Sequence, residues 1–272
     1  MSDLSLGLRW LSARMRMTLR NQRAVVFTLI FPLVLLTLFS GLNGNAKVPA
    51  MGGDGDIRFA QFYTPSIAIF SLVAACYTSL VLGIATARDE GLFKRVRGTP
   101  LPMGLYLASW LASAAAVGIG AIVILFAVAI PAFDVKIFLN TLPAAIVTLL
   151  LGAACLSALG LAVATMVKSA DQAMPVAQLT FLPLSFISGI WFPLDNAPQW
   201  LLTIAHFFPL YHIVNAFDGC FVPGVANNGW KPDDLLVIAI WGAVGLFIAA
   251  RRFRFEPGAE GEKRSLRAQL AR

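Results

Sequence analysis

The chain is 272 residues long, 58% of them apolar by the count of Ala, Val, Ile, Leu, Met, Phe, Trp, Tyr and Cys, only 13% charged, with a mean hydropathy of +0.76. A soluble domain carries about 25% charge, so a single core of this mass could not hide the apolar surface and too few charges remain to coat it. That excludes a soluble globular protein and predicts an all-α integral membrane protein. The net charge of +7 sits in loops between apolar runs, which excludes a nucleic-acid partner.

Residues 4–23 come first. At 100° per residue Leu4, Leu8, Leu11, Met15 and Leu19 share one face and Arg9, Arg16, Arg20 and Arg23 the other, the pattern of a helix lying in the membrane interface. Residues 1–23 are therefore expected as an in-plane amphipathic helix, 24–250 as a six-span bundle and 251–272 as a basic cytoplasmic tail, all one transmembrane domain. A crossing needs about 20 apolar residues in helix. The expected spans are 24–42; a stretch within 59–87 that begins at Pro65; 105–130, closed by Pro131; 142–167, opened by Pro143; 175–192, kinked at Pro183; and 235–250, with room for another turn at its front. The first run is too long and its basic flank too extended for a cleaved signal peptide, so it reads as a retained anchor.

These spans put 17 of the 21 Lys and Arg residues on the side of the N-terminus and leave Lys47, Arg58, Lys136 and Lys231 on the other. By the positive-inside rule both termini are cytoplasmic, in the cell (plasma or inner) membrane. The cytoplasmic loop Arg88, Asp89, Glu90, Gly91, Leu92, Phe93, Lys94, Arg95, Val96, Arg97 holds a short helix, with Leu92, Phe93 and Val96 on one face and basic residues around it, stopped by Gly98 and Pro100. Such a helix suits docking on another protein. Lys168 and Asp171 form a further cytoplasmic turn.

Between the last two spans lie some forty residues, long for a loop. Pro193 stops the fifth span, Asp195 or Asn196 caps a new helix, Pro209 breaks it, and a second short apolar stretch runs from Tyr211 to Phe221. Neither piece is long enough to cross, so both are expected to dip into the outer leaflet and return. Trp191, Trp200, Tyr211 and Trp230 read as an outer aromatic belt. His206 and His212, with Asp218 beyond, are the only candidates for a metal or proton site; the reading preferred is interfacial histidines that do not converge. Gly118, Gly120, Gly152 and Gly160 are small positions for close helix packing. The three cysteines match no metal or disulfide spacing; Cys76 and Cys155 read as small hydrophobes, Cys220 as a weaker candidate for a reactive thiol.

Three passages resemble the type-2 permeases of ATP-binding cassette exporters, particularly the drug-resistance branch: Phe27-Thr28-Leu29-Ile30-Phe31-Pro32; the loop from Arg88 to Pro102; and Ile187-Ser188-Gly189-Ile190-Trp191-Phe192-Pro193-Leu194 with Pro198-Gln199-Trp200-Leu201 and Phe208-Pro209-Leu210. Ala87 and Leu92 depart from it, standing where Glu and Thr are common. The resemblance implies a second permease copy or paired permease, two cytoplasmic ATPase subunits docked on the in-plane helix and on a coupling helix within residues 88–97, and an outer re-entrant gate that includes Gly189, Phe192, Pro193, Trp200, Phe208 and Pro209. It also implies that ATP and Mg are bound by the partner ATPase, and that amphipathic or hydrophobic cargo such as a drug, lipid or glycan is exported. The sequence holds no G-x-x-x-x-G-K-[ST] phosphate loop and no charge in mid-span. A secondary transporter, the alternative, would need intramembrane carboxylates or histidines for ion coupling. An intramembrane enzyme would need a nucleophile and base at depth, and Ser157 and Ser185 have no histidine nearby in sequence.

Overall fold

The computed structural model describes residues 15–17, 26–43, 46–49, 56–98, 103–194 and 197–252. Of the expected in-plane helix only Met15–Met17 fall within them, and these are helical; the caps expected at Asp195 or Asn196 and the tail beyond 252 lie outside.

A π-helical turn, Val26–Ile30, leads into α1, Phe31–Asn43. Strands β1, Lys47–Pro49, and β2, Asp56–Arg58, then pair antiparallel with Lys47 opposite Arg58. Helix α2, Phe59–Asp89, contains a π-helical turn at Ala74–Thr78. Gly91, at φ 68°, turns the chain into the short α3, Leu92–Arg97. The remaining helices are α4, Met103–Phe133; α5, Leu142–Met166; α6, Ala170–Ile187; α7, Gln199–Ala205; α8, Pro209–Gly219; and α9, Pro232–Arg252.

Among the described residues, four helical stretches are long and apolar enough to cross a membrane: Phe59–Asp89, Gly104–Phe133, Leu142–Met166 and Ala226–Arg252. The apolar helix at the first expected span, Thr28–Asn43, is shorter. Helices α7 and α8 meet at 94°, a bend produced where Pro209 withholds its N–H and starts a new helix at N1. The pair exits at one end of the bundle. It is fed by the end of α6, and its exit is tied to the start of α2, because Gln61 donates to the Phe221 carbonyl (2.8 Å), and to the start of α5, because Thr141 donates to the Cys220 carbonyl (2.6 Å).

The prolines redraw the expected boundaries. Pro65 lies within α2, Pro131 within α4 and Pro175 within α6, where Pro183 also lies, as expected. One residue before Pro65, the Thr64 hydroxyl donates back to the Ala60 carbonyl (2.7 Å); packed neighbours and hydroxyls make proline tolerable inside such helices. Pro143 does open α5, and α9 gains the turn foreseen at its front.

Helix α2 is buried nearly all round, with Tyr63, Ile67, Leu72 and Ile84 in the interior, as expected of a helix that is apolar on every face. Glycines set the closest approaches. A Cβ on Gly160 would stand 3.1 Å from the Cys76 and Tyr77 carbonyl oxygens of the π-helical turn, and one on Gly245 would stand 3.0 Å from the Ala158 backbone. Gly118 and Gly152 are likewise crowded by Leu72 and Ile213, but Gly120 faces open space, so it is no packing position.

Candidate functional site

Two places hold the residues singled out from the sequence, one at each end of the bundle. At the first, α2 runs out at Asp89, Glu90 closes it, and Gly91 in the left-handed region starts α3 one residue later. Gly91 N–H donates to the Arg88 carbonyl, and the Gly91 carbonyl accepts from Lys94 N–H (3.1 Å). No flexible linker separates the two helices.

The apolar face of α3 is used within the chain itself. Phe93 and Val96 are buried in a cluster with Leu80, Ile84, Ala87, Tyr106 and Trp110, and Leu92 packs on its edge. The Phe93 and Tyr106 rings meet edge-on at 5.8 Å. This corrects the expectation that Leu92, Phe93 and Val96 form the docking face: a small apolar face beside a large apolar bundle is covered by the nearer surface. What α3 leaves outward is Glu90, Lys94 and Arg95, all exposed. Arg88 and Asp89 turn inward. Arg88 donates to the Ala164 (3.3 Å) and Val167 (2.5 Å) carbonyls at the end of α5, and Asp89 accepts from Ala170 N–H (2.6 Å) at the start of α6.

At the other end, α8 stands among α2, α5 and α9. Its residues Leu210, Ile213, Val214 and Phe217 are buried, with Phe217 against Phe126 and Phe221. A chain of polar side chains runs through the same region. His212 Nε2–H donates to the His206 carbonyl (2.8 Å), and its Nδ1 shares a 2.6 Å hydrogen bond with Asp234 Oδ1. Asn215 Nδ2 donates to Asp234 Oδ2 (2.8 Å), and Lys231 Nζ donates to Asn215 Oδ1 (2.9 Å) and its carbonyl (3.0 Å). Apart from these, Ser66 donates to Asp218 Oδ2 at 2.6 Å, and Asp218 Oδ1 is buried without a hydrogen-bond partner. His206 is exposed, edge-on to Tyr211. His206, His212 and Asp218 therefore go to three different partners. Burial pushes the Cys220 thiol up to about 11, with Lys231 acting against it, so it is no nucleophile near neutral pH.

Of the residues expected at an outer gate, Gly189 is buried and sits at φ 88°, the conformation that turns the chain out of α6. Pro209 is buried at the start of α8, and Phe208 is half-buried against Phe207 and Trp241. Phe192 and Trp200 are exposed, and Pro193 is half-buried. Trp191 is half-buried and donates to the Ser185 hydroxyl. The sequence reading missed the partners: Gln61, Asn215, Lys231 and Asp234. A signal was present, since His212, Asn215 and Asp218 recur every three residues on an otherwise apolar helix.

These features define a multi-pass α-helical membrane protein with one polar end held by capped helix termini and another held by a buried polar chain. The chain belongs to the ABC-2 type transporter family, whose profile matches residues 8–222, and it is a transport permease. It is similar to the inner membrane transport permease YadH of Escherichia coli (strain K12), 22% identical over 231 residues that cover 85% of this chain and 86% of that one. It is also similar to the putative transport permease YvfS of Bacillus subtilis (strain 168), 24% identical over 200 residues, 74% of this chain and 79% of the relative. Nodulation protein J of Rhizobium leguminosarum bv. trifolii is 27% identical over 218 residues, 77% and 79% of the two chains.

Proposed function

We propose that this permease is the membrane subunit of an ATP-driven exporter, that it has six spans with both termini in the cytoplasm, and that it works as a pair of permeases with two ATP-binding cassette subunits that hold the ATP and Mg. The observation that carries the reading is α3. It is a helix rigidly continuous with a span, sealed on its apolar side and cationic on its outward side, at the end of the bundle where Lys and Arg concentrate. The contact with the ATPase then falls to Glu90, Lys94 and Arg95 rather than to Leu92 and Phe93. Closure of the ATPases would carry α3 with it, and α3 cannot move without moving the ends of α2, α5 and α6. Nucleotide drives transport only if the two packings of the bundle bind it differently.

The count of six takes α1, a shorter apolar helix, and α6, an 18-residue helix with Asp171 in its first turn, as crossings beside the four long ones. The re-entrant reading of α7 and α8 rests on their 94° bend and on the exit of α8 being tied to the starts of α2 and α5. Gly189, Phe192, Pro193, Trp200, Phe208 and Pro209 remain the proposed outer gate, Phe192 and Trp200 as its free aromatic surfaces. An uncharged path suits amphipathic or hydrophobic cargo, drug, lipid or glycan-like, because an unpaired charge at bilayer depth costs about 2.5–3.5 kcal/mol on insertion scales. Transport confined to inorganic ions would overturn that choice.

One observation favours the alternative, a secondary transporter: the buried Asp218, His212 and Asp234, which the sequence reading held to be lacking. Purification of the tagged chain in mild detergent separates the two. An ATPase subunit in roughly equal amount, with vanadate-sensitive hydrolysis, is the expected result; an ATP-inert preparation in several lipids would favour proton-coupled transport.

A further inference from the structure

Arg88 and Asp89 are adjacent in sequence and serve opposite helix ends. The guanidinium lies on the terminal carbonyls of α5, Ala164 and Val167, and the carboxylate lies on Ala170 N–H, the first residue of α6. Each charge matches the partial charge of the helix end it meets, positive at a C-terminus and negative at an N-terminus. Ser169, the residue in the N-cap position of α6, makes no side-chain cap of its own, so Asp89 supplies what α6 lacks. The short turn joining α5 to α6 is thus straddled by two neighbouring side chains of α2.

A second observation concerns the same pair. Arg88 Nε and Asp89 Oδ1 are both buried without hydrogen-bond partners, and they face each other at 4.0 Å. A hydrogen bond between them needs about 1 Å less. Buried polar groups are nearly always paired, so a donor and an acceptor left facing each other mark a clasp with a second, tighter position close by. On the other side, Gly91 N–H holds the Arg88 carbonyl and the Gly91 carbonyl holds the first turn of α3. Motion of α3 therefore reaches Arg88 through two consecutive hydrogen bonds.

We propose that Arg88 and Asp89 act as positioning residues that relay movement of α3 to the junction of α5 and α6, so that the sixth helix responds to the ATPase without touching it. The inference rests on the exporter reading above.

The test uses the permease–ATPase complex in proteoliposomes. A reporter cysteine replaces Gln172, exposed in the first turn of α6; the native Cys76, Cys155 and Cys220 are buried. Maleimide labelling is timed without nucleotide and after vanadate trapping. The parent rate is expected to change on trapping by about fivefold or more, the lower range of allosteric couplings. With Asp89→Ala the ATPase still co-purifies, since Glu90, Lys94 and Arg95 are untouched, but the change collapses to less than about twofold. Asp89→Asn keeps an acceptor for Ala170 N–H and should restore at least half of it; a merely structural loss would not be repaired in this readout alone. Should Asp89→Ala fail to assemble, Arg88→Lys, which keeps the charge and loses the two-carbonyl fork, carries the same comparison. A full response in Asp89→Ala or Arg88→Lys, an Asp89→Asn no better than Asp89→Ala, or a parent rate indifferent to trapping overturns the proposal and leaves the exporter reading standing. A parent that retains no ATPase removes both.

Discussion

His212 has a partner on each ring nitrogen, Asp234 on one side and the His206 carbonyl on the other. Removing one member of a buried hydrogen-bonded pair strands the other, at a cost of about 1–3 kcal/mol. Both side chains are only 10% exposed, so little solvent is on hand to soften the loss. Asp234→Ala and His212→Ala should each lower the thermal midpoint of the detergent-solubilised permease sharply. The double variant His212→Leu/Asp234→Leu should cost less than the two single losses added together, because neither member is left facing a missing partner; additivity would mean that the pair is not coupled. Asp134 behaves differently, because its side chain is 73% exposed and that of its partner Arg58 is 40% exposed. The Arg58 guanidinium bonded to it holds its carboxyl below the usual carboxylate range, helped by Lys136. A carboxyl with a lowered folded pKa adds stability above its unfolded pKa, and that stability is lost as pH falls through the folded value. Thermal midpoints of the wild type and Asp134→Asn should therefore differ at neutral pH by a small amount, as suits a surface pair, and converge in acid. A gap that widened in acid would reverse the assignment.

Among whole elements, glycines decide which helices touch, and they separate positions that the sequence alone presents as equivalent. Gly160→Ala puts a methyl 3.1 Å from two carbonyl oxygens of the π-helical turn in α2. Backbone cannot step aside as a flexible side chain can, so an overpacking cost of about 1–3 kcal/mol is expected. Gly120→Ala meets nothing within 4 Å and should be neutral or mildly stabilising, as alanine is a better helix former by about 1 kcal/mol. Denaturation midpoints of the two variants, side by side, check the contrast; equal losses would mean that α2 and α5 are not this close. The same scale corrects α3. Phe93→Ala should cost about 3–5 kcal/mol of local packing and therefore says nothing specific about docking, whereas Lys94→Glu with Arg95→Glu leaves the fold intact and should strip the ATPase from the purified permease. Retention of the ATPase by that charge reversal would remove the exposed face of α3 from the interface. The helices themselves were legible from apolar run lengths, and so was a break at Pro209, though not its 94° angle. Helix ends were not, because Pro65, Pro131 and Pro175 terminate helices in water but are carried inside them where neighbours satisfy the freed carbonyls. The inward turn of Phe93 and Val96 was not legible either. Helical spacing shows that a face is apolar, but not which of two surfaces will cover it.

For the molecule as a whole, orientation is read from charge and has to agree with which helix ends the structure gathers together. Lys94, Lys168 and Arg251 lie at the end of the bundle that holds α3, and Lys47, Lys136 and Lys231 lie at the end that holds α8, so the basic residues divide by end as the sequence divides them by loop. This agreement has content, because adding or removing one crossing before a loop moves every later loop to the other side. If α7 and α8 together made a full span, Lys231 and Arg251 would change sides relative to Lys168. The bonds from Gln61 to Phe221 and from Thr141 to Cys220 oppose that: they would have to join groups on opposite faces of a hydrocarbon layer about 30 Å thick. Single cysteines at Lys136, Asn228 and Lys168 distinguish the two arrangements. Lys136→Cys and Asn228→Cys should react with a membrane-impermeant maleimide added to intact cells, and Lys168→Cys only after the membrane is opened. Protection of Asn228→Cys together with labelling of Lys136→Cys would make α7 and α8 a true crossing. It would also put the polar chain from Lys231 through Asp234 to His212 at the cytoplasmic face, beside α3 instead of opposite it.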